Sequence, residues 1–359
     1  MDTMEEALFA PPTTSDLNTA RTTESTSSSS VANQTDTDAA SHSSFHTEGL
    51  NWFLQYPSWV IAYQHSPPAS IPPAAVFTNF VRGLQSWLIC FLRKGHNPFI
   101  HRHLYSAAAL PQCIQDAYAA IAITQTVTPE NEHVVDAVSN GYIMNLLSAH
   151  STTDLSFMPL LSTREHLART QALLIHLLLS LYSPSISRRA KAESLIDTLR
   201  LWARQLWESA VLDANTSPIL PNTLSMSCDQ DLDKDEVVPS LFRAFVLSES
   251  LRRTCLLTSI ATGVYTSLKE TWSHACAGDV CITLRGELWE APSAARWEAV
   301  AKKEDPLFLY SLKGHSLLSK GIKAAEVDEY ARLIFTVLWG LEKVENWIVS
   351  TGDAVSVTY

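Results

Sequence analysis

Apolar residues recur every three or four positions through stretch after stretch of this chain, and that period restricts most of it to helices. The clearest run follows Pro184. Leu195, Leu199, Trp202 and Leu206 share a face with Ile196, Ala203 and Trp207 beside them, while Glu193, Asp197, Arg200, Arg204 and Glu208 fall opposite. One apolar stripe facing away from a charged side describes a helix that buries one flank. Val76, Phe80, Leu84, Trp87, Leu88 and Phe91 repeat the pattern from Ala74 until Gly95 stops it. Thr128-Pro129-Glu130-Asn131 reads as an N-cap with proline at the first helical position, opening a helix towards Ala149. Ser162 or Thr163 with Glu165 opens another, with Leu167, Thr170, Leu174, Leu178 and Leu181 along one side and Pro184 closing it. A long helix is expected from about Pro239 to Leu268, a shorter one after Pro292, and a last one from Ala324 to about Ser350. Convincing alternating strands are few, and no repeat of fixed period is present.

The expected fold is therefore all-α: an irregular multi-helix domain over residues 49–352 behind a disordered N-terminal arm, with residues 353–359 as a tail. Residues 1–48 are rich in Ser, Thr, Asp and Ala, too poor in apolar surface to offset the entropy of ordering them. Hydrophobic residues make up 46% of the chain and charged residues 18%, which suits a globular core. The formal net charge of -11 repels nucleic acid. Arg188-Arg189-Ala190-Lys191 is the one basic cluster, read as a cation-rich helical turn, with a nuclear-import role as the alternative. The acidic start at Met1-Asp2-Thr3-Met4-Glu5-Glu6 is unlike a signal peptide, and the apolar run Ala172 to Tyr182 is too short for a membrane span. These features lead us to expect an intracellular protein with reduced thiols and no membrane partner.

No candidate chemistry survives its ligand count. The cysteines at 90, 113, 228, 255, 276 and 281 include no Cys-x-x-Cys pair, so they lack the paired spacing of a zinc site. His101-Arg102-His103 offers two imidazoles but no neighbouring carboxylate, and reads as a structural turn. Asp229-x-Asp231-x-Asp233 begins like a calcium loop, but Lys234 stands where the loop needs glycine and Ser240 where it needs glutamate. A solvated acidic loop, open to a weak partner contact, is the better reading. Glu249 and Arg253, one helical turn apart, are expected to pair; the competing reading has Arg252 or Arg253 gripping an anionic ligand. There is no Gly-x-Ser-x-Gly elbow, phosphate loop or His-Glu-x-x-His. Trp202, Trp207, Trp289, Trp297, Trp339 and Trp347 read as core anchors. We therefore expect a non-enzyme with no catalytic, cofactor-binding or metal-binding residue, no cofactor, and DNA-binding residues unidentified.

Five segments, in order, carry a resemblance. They are Asn97-Pro98-Phe99-Ile100-His101; Leu110-Pro111 with Asp116-Ala117; Thr170-Gln171-Ala172-Leu173-Leu174; Glu249-Ser250-Leu251-Arg252-Arg253-Thr254; and Leu288 to Trp297, Leu-Trp-Glu-Ala-Pro-Ser-Ala-Ala-Arg-Trp. Together they resemble the regulatory middle homology region of fungal binuclear-zinc-cluster transcription factors. In that family a six-cysteine zinc module precedes this region and reads DNA, whereas here the first cysteine, Cys90, already lies in a helical pattern. The resemblance implies a nuclear regulator of transcription, often of secondary-metabolite gene clusters, controlled through ligands, partners or self-association. A chain of this kind without its own zinc cluster is expected to work through another transcription factor or co-regulator rather than by reading DNA directly. An upstream module outside this sequence, true loss of the module, and a different DNA-reading segment all fit. The competing class is a helical enzyme or small-molecule-binding protein, for which an ordered pocket with converging buried polar groups would speak.

Overall fold

A computed structural model describes residues 49–63, 72–105, 110–150, 161–216, 237–270 and 278–359. All belong to a unit spanning His46–Tyr359; the expected arm and the Asp229–Glu236 acidic loop lie outside the described residues.

Helix α1, Ala74–Lys94, buries Phe77, Phe80, Leu84, Trp87 and Phe91 and turns Arg82 and Gln85 outward. Gly95, at φ 73°, ends it in the left-handed conformation, its N–H on the Phe91 carbonyl at 2.8 Å. Among the described helices α1 alone has the length and apolarity of a membrane span. Its one-sided burial makes it a core helix instead. Helix α2 runs Gln112–Thr124 and α3 Glu132–Ala149. The Thr128 cap reading is corrected here. Residues 129–131 form a turn, in which Asn131 Oδ1 accepts from Thr128 N at 2.7 Å, and the helix starts after it.

Helix α4, Thr163–Leu181, opens on a full capping box: Ser162 Oγ accepts from the Glu165 N–H, and Glu165 reaches back to the Ser162 N–H at 2.8 Å. From Leu167 to Leu178 every residue of α4 is buried, Arg169, Thr170, Gln171 and His176 among them, and the helix packs on α1, α2 and α3. The amphipathic stretch after Pro184 divides at Ser194–Leu195 into α5, Ile186–Glu193, and α6, Ile196–Thr216. Helix α6 runs on to Thr216. Helix α7, Val237–Lys269, packs against α4 and α6 and carries a belt of buried polar residues.

Beyond α7 a short ribbon appears that the sequence did not announce. Strands β1, Cys281–Thr283, and β2, Phe308–Tyr310, pair antiparallel with Ile282 opposite Leu309. Three residues are too few to display an alternating pattern. Between them lie α8, Gly286–Trp289, and α9, Ala294–Lys303, the latter capped by Ser293 Oγ. A short α10, Ser316–Ser319, precedes the last stretch, which is not one helix. It divides into a 3₁₀ turn at Ala324–Glu326, then α11, Glu329–Trp339, and α12, Leu341–Ser350. Gly340 separates the last two at φ 94°, a conformation that disfavours a side chain. Gly83 lets α1 meet α11, since a Cβ there would stand 2.7 Å from Leu333. Residues 353–359 lack regular structure but are held: Asn79 Nδ2 donates to the Val357 carbonyl at 2.7 Å, and Asn79 Oδ1 accepts from Tyr359 N at 2.9 Å.

Candidate functional site

Four of the five segments that carry the resemblance meet at one place on α7. Arg253, fully buried, donates through Nε to Glu249 Oε1 at 3.1 Å, through Nη1 to the Pro98 carbonyl at 3.0 Å and through Nη2 to the Thr283 carbonyl at 2.9 Å. The same group pairs with Asp328 and lies 3.8 Å over the Trp289 ring. Glu249 Oε1 also accepts from the Thr283 N–H at 3.0 Å, and Tyr330 closes the circuit by donating to the Arg253 carbonyl at 2.7 Å. Burial opposes the Arg253 charge, but Asp328 and Glu249 outweigh it and hold the guanidinium above its usual range. Gln171 spans the gap from α4, donating to the Phe99 carbonyl at 3.2 Å and to Thr254 Oγ1 at 3.1 Å.

The Asn97 turn is shaped to present those carbonyls. Asn97 Oδ1 accepts from the Phe99 and Ile100 N–H groups at 3.0 and 2.8 Å, an Asx-type turn that aims Pro98 and Phe99 at α7. His101 follows, buried, with Nε2 on the Trp289 carbonyl at 2.8 Å and Nδ1 accepting from His103 N at 3.0 Å. A carbonyl can only accept and an amide N–H only donate, so both contacts fit a single neutral tautomer. Burial accordingly pushes its imidazole down to about 3. With both nitrogens engaged, no lone pair of His101 remains for a metal, and His103 Nε2 is occupied by the Pro292 carbonyl at 3.1 Å.

Arg252 does not point to solvent either. It lies 4.1 Å over the Trp59 ring and donates to the Phe53 carbonyl at 2.6 Å and Ser58 Oγ at 2.9 Å, fastening the aromatic segment at Asn51–Leu54 to α7. Trp52 stacks on Trp297 within the same cluster. Both guanidiniums are fully buried, and every Arg253 nitrogen is engaged by the protein, so the Glu249–Arg253 pair is a structural junction. Sequence reasoning missed Asp328, Thr283 and Tyr330. Asp328 had a legible signal, since its Oδ1 caps α11 through the Ala331 N–H at 2.8 Å, but its pairing with Arg253 joins distant parts of the chain.

The segment that does not join the junction, Leu110-Pro111 with Asp116-Ala117, starts α2, with Ala117 in the core. Among the described residues no three His, Cys, Asp or Glu side chains converge as metal ligands. Burial pushes the thiols of Cys113, Cys255 and Cys281 up to about 11, 12 and 11, which disfavours the thiolate that metal binding requires. Cys228 and Cys276 lie outside the described residues.

Fold and junction together define a helical scaffold whose buried polar groups hold segments to one another. The chain is similar to a Penicillium aethiopicum protein named Transcription factor gsfR2, with 27% identity over 274 residues, covering 75% of this chain. It spans 60% of that protein's length. No protein-family model matches the chain, and no solved structure matches it.

Proposed function

We propose that this chain is a non-enzymatic transcriptional regulator acting in the nucleus, on a fungal secondary-metabolite gene cluster or a similar pathway. The observation that carries the reading is the similarity to Transcription factor gsfR2 across 75% of the chain. The five ordered segments support it independently, because four of them form one physical junction rather than scattered coincidences. The chain acts through a protein partner, another transcription factor or a co-regulator, or through self-association, and not by a zinc cluster within these residues. The net charge of -11 works against phosphate contact. Two arginines of the basic cluster are engaged within the chain: Arg188 pairs with Asp136, and Arg189 donates to the Ser183 and Pro184 carbonyls at 2.7 and 2.9 Å.

Deleting the gene should change transcript levels of neighbouring or pathway genes, while the purified chain should give no sequence-selective, salt-tolerant gel shift. Unchanged transcripts would sink the regulator reading and favour the helical enzyme or small-molecule-binding alternative. A selective shift by the chain alone would sink the partner route only.

A further inference from the structure

Away from the α7 junction, α2, α3, α4 and α5 enclose a cavity of about 370 Å³. That is within the size range of small-molecule sites. Its walls divide by chemistry. Ala120, Ile143, Leu147, Leu179 and Leu195 supply an apolar side, while Ser139, His176, Arg188 and Lys191 converge from three helices on the other. Three of these polar groups are buried without a partner: His176 Nε2, Ser139 Oγ and Arg188 Nη2. His176 is 2% exposed.

An unpaired buried polar atom costs stability unless something else satisfies it. Three on residues lining one apolar-backed space share a remedy, a ligand with oxygen acceptors. Arg188 spends its Nε on Asp136 and keeps Nη2 free, and Lys191 makes no ion pair among the described residues. The two cations against the single Asp136 carboxylate leave the polar side short of negative charge. His176, pushed down to about 4 by burial, is neutral at physiological pH and can offer one N–H. A larger, more open groove between α1 and α7, near Val81 and Leu268, contains no unpartnered buried polar side-chain atom, so volume alone does not single out a site. The cavity's outer wall, α3, buries only Val135 and Leu146 fully, and Met144 on it is exposed. A lightly anchored wall gives a ligand a way in.

We propose that this cavity binds a small organic anion, an apolar ring or chain body carrying one acidic oxygen group that docks on Arg188 and Lys191 while His176 and Ser139 hydrogen-bond it. The inference concerns the purified chain and stands whether or not the chain regulates transcription.

The test uses 8-anilinonaphthalene-1-sulfonate as probe, with N-phenyl-1-naphthylamine as the same ring system without the anionic group. The native full chain should bind the sulfonate saturably at one site and the neutral analogue at least ~10-fold more weakly, the worth of a charge-assisted hydrogen bond. R188Q should weaken sulfonate binding by about the same factor and leave the neutral analogue unchanged. S139F, which places a ring in the space, should abolish binding of both while circular dichroism and melting stay native. T124W blocks from a different helix if S139F does not fold. Absence of saturable sulfonate binding, or undiminished binding by a natively folded S139F or T124W chain, overturns the site. Equal affinity for the two probes, or no effect of R188Q, overturns the anion assignment.

Discussion

Arg253 and Arg188 both pair with an aspartate, yet they sit in regions built on opposite terms. Around Arg253 the carboxylates of Glu249 and Asp328, two backbone carbonyls and an indole face use up the guanidinium. Around Arg188 one carboxylate takes one edge, the other edge is left without a partner, and a cavity begins there. The histidines repeat the contrast. His101 has both nitrogens matched to backbone groups, whereas His176 Nε2 is equally buried and has none. Buried polar residues of the same types therefore mean different things in the two regions. The Arg253 guanidinium and the His101 ring, with every nitrogen engaged, join segments; the unpaired atoms of His176, Ser139 and Arg188 belong to residues bordering a void, where a ligand would supply partners.

The largest effect should come from opening the junction. Arg253→Ala strands Glu249 and Asp328 without their counter-charge in the core, and removal of one partner of a buried pair costs about 3–5 kcal/mol. Urea unfolding should show that loss, or expression should yield no folded chain. Arg188→Ala breaks a partly buried pair, its side chains 15% and 23% exposed, with one carboxylate rather than two left behind, and should cost less, about 1–2 kcal/mol. If the two losses are alike, the distinction between the regions fails.

Acid should strike the junction as well. The unfolded His101 imidazole takes a proton near pH 6.5, but the folded one only near pH 3, so protons favour the unfolded chain. Its contribution is intact above pH 6.5 and falls by about 1.4 kcal/mol per pH unit below that, down towards pH 3. His101→Gln should flatten the pH dependence of unfolding between pH 6 and 4; an unaltered slope would mean that His101 is not held neutral.

Smaller effects bound the comparison from outside both regions. Gly83→Val presses a side chain into Leu333 and should cost about 1–3 kcal/mol, read as a lower urea midpoint. Ser162→Ala removes the cap of α4 and should cost about 1 kcal/mol. Neither should alter probe binding in the cavity.

What was legible in the sequence was local. The Ser162–Glu165 cap, the Gly95 stop and the Glu249–Arg253 pair each link residues within one helical turn, so spacing alone reveals them. The length of α7 was readable because no proline interrupts the span after Pro239. Gly340 hid inside a helical pattern, where only its backbone angle shows the break. Asp328 could be read as a cap but not as the partner of Arg253, since nothing local specifies which distant charge it meets. Cavities are less legible still, because they are space left between helices rather than a property of any residue. No pattern in His176 or Ser139 distinguishes them from residues that packing has satisfied.

The most direct measurement compares two equal substitutions, His101→Leu and His176→Leu, by urea unfolding at pH 7. Replacing His101 leaves the Trp289 carbonyl and His103 N–H buried without their partner and should cost at least ~2 kcal/mol. Replacing His176 removes an unsatisfied group and should leave stability within ~1 kcal/mol of the native chain or raise it. Equal losses at the two positions, or a larger one at His176, would contradict the division between a histidine that joins segments and one that borders an unfilled site.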